Sequence, residues 1–213
     1  MDGLYDRNKS ENTIDTSIGV ITKVPSESER YFQEFREYDY EIDIRDNIIY
    51  ITDTIEHGLL TEFIGKVNLL QKINPDNRAI TILLNSNGGD VIETLGMIDY
   101  MRMKRDTIGL VFNIVVRGTA MSAAALLLTA GTGVRAASKH SKIMVHELST
   151  LKMGKISDVK AGAKFSEHLE QDCNRIMAEC TTRDFDFWKN VQRVDYFLDS
   201  AEAMELGIID KII

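Results

Sequence analysis

The chain has 213 residues, of which 44% are hydrophobic and 27% charged, with a formal net charge of −8 at pH 7. That length and composition suit one globular domain with a substantial core, plus a tail. The acidic balance and the lack of any Lys/Arg-rich block argue against binding to nucleic acid or an anionic membrane surface.

Residues 1–30 are polar and mixed in charge, with weak apolar punctuation at Ile14, Ile18, Val20, Ile21 and Val24. They are expected to form a flexible arm, or a segment that orders only in an assembly. The arm shows no basic region followed by an apolar one, and no apolar run is long enough to span a membrane, so a cytoplasmic protein is expected. Tyr31 to Tyr40 is aromatic and acidic and carries no clear pattern. Ile48–Ile51 predicts a short strand. His57–Asn74 predicts an amphipathic helix with Leu60, Phe63, Ile64, Val67, Leu70 and Ile73 on one face, stopped by Pro75. Ala79–Leu84 reads as a strand covered on both faces. Asn85-Ser86-Asn87-Gly88-Gly89 is a loop that glycine can bend sharply. Asp90 and Glu93 resemble a capping box opening a helix to about Lys104.

Thr107–Val116 predicts the next strand, and Ala123–Ala130 an Ala/Leu-rich helix. Between them lies Arg117-Gly118-Thr119-Ala120-Met121-Ser122, where Gly118 is expected to supply a sharp turn. Val134–Ala137 and Lys142–Val145 predict short strands around the turn Ser138-Lys139-His140-Ser141. Ile156–Cys180 predicts a long helix striped by Val159, Leu169, Cys173, Ile176 and Cys180. Phe185–Asn190 and Ala201–Gly207 predict short helices, and Ile208–Ile213 is a closing apolar segment. Repeated strand–helix alternation makes this an α/β fold. The only cysteines, Cys173 and Cys180, stand at helical spacing without a following Cys/His pair. They read as small apolar fillers, with neither a metal nor a disulfide implied.

A serine where a buried strand meets a buried helix is well placed for chemistry. Unpaired N–H groups and the positive end of the helix dipole gather in the first turn. Amide hydrolysis by serine needs a base for the hydroxyl proton, a carboxylate to orient that base, and N–H groups for the oxyanion. Ser122 follows a strand and opens a helix. His146 ends a strand and is the best-placed histidine: His57 begins a helix, His140 sits in a turn and His168 faces outward. Gly89, in a loop at a strand end, can present an unhindered N–H, and Ala123 offers the N–H directly after Ser122. All lie where sites gather in open α/β sheets, at the carboxyl ends of strands. The bland alternatives are a helix-capping serine and a buried, hydrogen-bonded histidine. The residues themselves do not select the carboxylate from 33 Asp and Glu.

Asn85-Ser86-Asn87-Gly88-Gly89, Gly118-Thr119-Ala120-Met121-Ser122-Ala123-Ala124, Lys142-Ile143-Met144-Val145-His146 and Asp195-Tyr196-Phe197-Leu198, followed by Glu202-Ala203 and Gly207, resemble the Clp protease proteolytic subunit family, ClpP. The resemblance runs from about Tyr40 to Asp210. It implies a ClpP/crotonase-like spiral of strand-strand-helix units with a long handle helix, in a peptidase domain over 31–213. It implies a self-compartmentalised serine endopeptidase, with Ser122 as nucleophile, His146 as base, Asp195 as orienting carboxylate, and Gly89 and Ala123 as oxyanion donors. It further implies stacked heptameric rings fed with unfolded polypeptide by an AAA+ unfoldase, which uses ATP, with no cofactor in this chain itself. The sequence departs from the family at Asn87, where proline is usual, which predicts a less rigid loop. It departs again at Ala123, at Glu147-Leu148 after the histidine, and in the reduced glycine segment Ser149–Gly154. A single ring is therefore an alternative to two.

Competing readings are a crotonase-type acyl-CoA enzyme on the same fold, a non-catalytic ring subunit, and a Ser–Lys peptidase using Lys139 or Lys142. Assembly is also expected from the helix 156–180, whose stripe Leu169, Cys173, Ile176, Cys180 reads as surplus apolar surface in need of a partner.

Overall fold

The computed structural model describes residues 40–151 and 153–213. The arm over residues 1–30 and the stretch from Tyr31 to Asp39 lie outside the described residues. In chain order the elements are β1 (Ile42–Asp43), β2 (Ile48–Ile51), α1 (Leu59–Ile73), β3 (Ala79–Ser86), α2 (Val91–Ile108), β4 (Val111–Met121) and α3 (Ala123–Thr129). They continue with β5 (Arg135–Ala137), β6 (Lys142–Val145), α4 (Ile156–Cys180), α5 (Phe185–Val191), β7 (Tyr196–Asp199), α6 (Ser200–Glu205) and β8 (Lys211–Ile212).

The strands form one mixed eight-stranded sheet in the order β1-β2-β3-β4-β5-β8, with β6 joined to β4 and β7 joined to β6. This is an α/β architecture, as expected. Strands β2 to β5 and β8 run parallel, while β1 and β7 are antiparallel to their neighbours. Along β3 and β4 fully buried residues alternate with half-buried ones, so the expected cover on both faces is complete on one face and partial on the other. Phe63 and Val67 from α1, Met97, Ile98 and Met101 from α2, and Ile82, Leu84, Phe112 and Ile114 from the sheet are all buried in one core. Phe63 stacks at a tilt on Phe112, 5.9 Å between ring centroids.

Strand β4 is longer than expected, and its two halves take different partners. Ile114–Val116 pair with β5, and Thr119–Met121 pair with β6. The ladder to β3 slips between Val116↔Leu84 and Ala120↔Ser86, which is a bulge. Gly118 lies in this bulge, where an added Cβ would run into the Asn85 side chain. The expected sharp turn at Gly118 is thus corrected: the chain stays in the strand through Met121 and turns at Ser122. The bulge is held by Thr119, whose N–H donates to Asn85 Oδ1 (3.0 Å). The Thr119 hydroxyl reaches Asn87 Oδ1 (3.3 Å), which anchors the loop at the position where proline was missing.

Further corrections concern ends and pairings. Helix α2 runs on to Ile108 and ends on Gly109 in the left-handed region (φ 71), so Thr107–Ile108 are helical rather than strand. Asp90 caps it, accepting from the N–H groups of Ile92 and Glu93. Glu93 does not close a capping box. Its carboxylate accepts from the N–H of Leu60 (2.9 Å) at the start of α1 and pairs with the exposed His57. That backbone hydrogen bond is the main reason its carboxyl is held below the usual range. Strand β7 replaces an unassigned segment, and β1 adds an edge.

Helix α4 spans Ile156–Cys180 as expected; of its predicted stripe, Cys173 and Ile176 pack inward, while Val159, Leu169 and Cys180 stay half-buried. Asn174 and Met177 are buried, and Cys173 and Ile176 lie against the core. Burial pushes the Cys173 thiol up to about 11, with the charge of Asp172 adding to it. The exposed apolar surface sits instead at the N-terminal end, on Leu151, Met153, Ile156 and Phe165. At the other end, Trp188 is fully buried and donates through Nε1 to Thr181 Oγ1 (2.8 Å), fixing the corner into α5.

Arg135 closes the fold at its C-terminal edge. Its guanidinium grips Asp210 at 2.6 and 3.2 Å and donates to the carbonyls of Thr129 (3.1 Å) and Cys180 (2.8 Å). Burial raises the Asp210 carboxyl pKa, but hydrogen bonds from the Arg135 side chain and N–H outweigh it and hold the group below its usual range. A depressed carboxylate stabilises above its unfolded pKa and loses that contribution as pH falls through the folded value. Arg135→Ala strands both carbonyls and is expected to cost about 2–4 kcal/mol. Urea unfolding at neutral pH measures it, and the gap to the parent should narrow in acid.

Candidate active site

Parallel strands that end together bring their last residues together. The β4–β6 register pairs Met121 with Met144, so Ser122 and His146 both emerge from the carboxyl ends of adjacent strands. The N–H of Ser122 donates to the carbonyl of Met144 (2.7 Å), which holds the serine against β6. The chain then reverses into α3 on Ser122 itself, at φ 55 and ψ −125. This region is unfavourable for any residue with a Cβ, and strain of this kind is typical of sharp strand-to-helix elbows that project a nucleophile. It aims the hydroxyl at the imidazole: Ser122 Oγ lies 2.8 Å from His146 Nε2. For the ring to take the serine proton, Nε2 must be the bare nitrogen and Nδ1 must carry the hydrogen.

The loop Asn87-Gly88-Gly89 presses on this elbow. A Cβ at Gly88 would meet the Met121 carbonyl, Ser122 Cβ and the Ala123 nitrogen, and one at Gly89 would strike the Ile55 carbonyl. Glycine is needed at both, since both also have positive φ. Gly89 sits in a parallel bridge to Ile55. The bridge uses the Gly88 carbonyl and the Asp90 N–H, leaving the Gly89 N–H unused. The Ala123 N–H belongs to the first turn of α3, so it too has no intrahelical acceptor. Among the described residues neither N–H has a hydrogen-bond partner. Two free N–H groups flanking a strained serine can stabilise an oxyanion.

Asp195 sits one residue before β7. The antiparallel register runs Lys142↔Asp199 through Val145↔Tyr196, and its next step sets Asp195 opposite His146. Cross-strand residues in such a pair share a face. The Asp195 side chain is exposed, and among the described residues no hydrogen bond joins it to His146. The structure therefore brings Ser122 and His146 into contact, sets Gly89 and Ala123 beside them, and places Asp195 alongside without engaging it. Asp199, the neighbouring acidic residue, is committed elsewhere. It caps α6, accepting from the N–H groups of Ala201 and Glu202 (both 2.9 Å), while Glu202 accepts from the Asp199 N–H (2.8 Å). Lys139 and Lys142 are exposed, and neither makes a hydrogen bond to Ser122.

Beside Ser122 and His146 opens a cleft walled by Val91, Leu126, Leu148 and Met177. Leu148 owes its place to the Glu147 N–H, which donates to the carbonyl of Gln192 (2.7 Å) and pulls the chain after His146 toward α5. Cys173 and Glu170 of α4 complete the cleft. Sequence reasoning missed these wall residues, because nothing local marks a helix residue as facing a site made by distant strands. Among the described residues no cluster of His, Cys, Asp and Glu could hold a metal ion, and no helix is long and apolar enough to cross a membrane. The family model for Clp protease matches residues 33–213. The chain therefore belongs to the Clp protease family and is a peptidase of the ClpP type.

Proposed function

We propose that this ClpP-type peptidase is a serine endopeptidase in which Ser122, His146 and Asp195 act as a triad. The observation that carries the reading is the 2.8 Å contact between Ser122 Oγ and His146 Nε2 at a strained elbow. Ser122 Oγ attacks the scissile carbonyl while His146 Nε2 takes the hydroxyl proton. The oxyanion is held by the N–H groups of Gly89 and Ala123. The C–N bond then breaks, the amine leaves with the proton from His146, and water hydrolyses the acyl-enzyme by the same relay. Asp195 turns to accept from Nδ1–H, holding the ring in the required tautomer. No cofactor enters this chemistry.

The site works inside an assembly in this reading. Residues 31–213 form the peptidase domain, with 1–30 as its arm. Leu151, Met153, Ile156 and Phe165 leave exposed apolar surface at the tip of α4, which a facing copy would cover. Stacked heptameric rings, fed with unfolded polypeptide by an AAA+ unfoldase in the cytoplasm, fit that surface and the family.

The deciding experiment treats purified full-length protein with a fluorophosphonate and locates the adduct by peptide mass mapping, with sedimentation of the same sample. Labelling on Ser122 in a heptameric or larger particle is expected. Labelling of another serine overturns the triad, and an active monomer overturns enclosure.

A further inference from the structure

The cleft beside Ser122 is apolar along Val91, Leu126, Leu148, Cys173 and Met177, yet one carboxylate borders it, Glu170. That side chain is half-buried and makes no hydrogen bond or ion pair among the described residues. Its neighbours three and four positions along α4 are Ser166, Glu167, Cys173 and Asn174, so no cation stands at helical spacing to neutralise it. The nearest salt bridge on the helix, Arg175 with Asp172, is made without it. The Glu170 charge contributes to raising the thiol of Cys173, which places its field on the cleft wall. A carboxylate that borders an apolar cleft and has no cation of its own offers the counter-charge for a cationic ligand end.

We propose that Glu170 sets substrate preference. The cleft takes the side chain of the residue whose carbonyl Ser122 attacks, and it favours a long aliphatic stem ending in a cation, lysine or arginine. The stem lies along Val91, Leu126 and Met177, and the charged end meets the Glu170 carboxylate. Apolar walls alone discriminate weakly between stems of similar length, whereas a charge-assisted hydrogen bond at the end separates lysine from its uncharged analogue by roughly 10-fold or more. This inference rests on the serine-peptidase reading of the same site.

The test uses matched fluorogenic peptides that differ only in that residue, lysine against norleucine, together with a fluorophosphonate that has no side-chain recognition. The parent is expected to cleave the lysine peptide faster. Glu170→Gln is expected to lower the lysine-to-norleucine ratio in kcat/KM about tenfold, and Glu170→Lys to invert it. Rising salt should erode the parent's ratio. A parent that prefers norleucine overturns the proposal. So does Glu170→Gln lowering both peptides equally, which would make Glu170 a positioning residue for His146 instead. If the fluorophosphonate labels Ser122 while the ratio ignores Glu170, only this inference fails. If Ser122 is not labelled at all, the serine-peptidase reading fails with it.

Discussion

Ser122→Ala is expected to abolish peptide hydrolysis, by about 10⁴–10⁶-fold in kcat, while fold and assembly persist. The change removes a single oxygen whose one side-chain hydrogen-bond partner among the described residues is His146 Nε2. It leaves the N–H of residue 122 on the Met144 carbonyl, so the elbow keeps its anchor. Stability is expected to stay within about 0.5 kcal/mol of the parent. Ser122→Gly makes the second arm of this experiment. It should be equally inactive, but alone of the two it relieves the unfavourable backbone at φ 55, so it is expected to melt higher, by an amount on the order of 1 kcal/mol. Peptide turnover and thermal unfolding of both variants measure these effects. Substantial activity in Ser122→Ala would remove the nucleophile from this residue. Equal melting of the two variants would mean that the elbow carries no strain.

The strands and helices that were legible in the sequence are those whose pattern is local. Ile48–Ile51, Lys142–Val145 and Ile156–Cys180 match their predicted bounds, because apolar runs and helical stripes bounded by polar residues carry their own signal. Strand β4 was read short because Arg117 and Gly118 break its apolar run. Their tolerance depends on the bulge that Asn85, on β3, holds by accepting from the Thr119 N–H. Strand β7 escaped because Tyr196–Asp199 is short, half-exposed and bordered by aspartates, and only the ladder to β6 makes it a strand. On α4 the predicted stripe is apolar as expected, but two of its members, Cys173 and Ile176, meet this chain's own core rather than a partner. Periodicity shows which face of a helix is buried and is silent on what buries it. Ser122, His146, Gly89 and Ala123 were legible as strand-end residues. Glu170 was not, because its place on the cleft depends on how α4 packs against strands far away in sequence.

The carboxylate is where residue spacing left alternatives, and the structure gives them unequal geometry. Asp195→Asn is expected to cost up to about 10⁴-fold in kcat, because an amide in place of the carboxylate leaves the imidazole in the wrong tautomer. Asp199→Asn is expected to leave turnover close to the parent and to act on stability instead. Asp199 already spends its oxygens on the N–H groups of Ala201 and Glu202, and the register pairs it with Lys142, at the far end of β6 from His146. The cap hydrogen bond from Glu202 is the main cause that holds the Asp199 carboxyl below its usual range. Its contribution is therefore present above the ordinary carboxylate pKa and lost as pH falls through the depressed one. Losing the charge in Asp199→Asn should lower stability only slightly, since asparagine is itself a good cap. Asp195 has the opposite profile. Its carboxylate makes no hydrogen bond among the described residues, and the next step of the β6–β7 ladder sets it across from His146. Parallel kcat and urea-unfolding measurements on the two variants separate the roles. A large kcat loss in Asp199→Asn with little in Asp195→Asn would transfer the orienting role to Asp199. A small loss in both would mean that His146 works without a carboxylate partner from this segment.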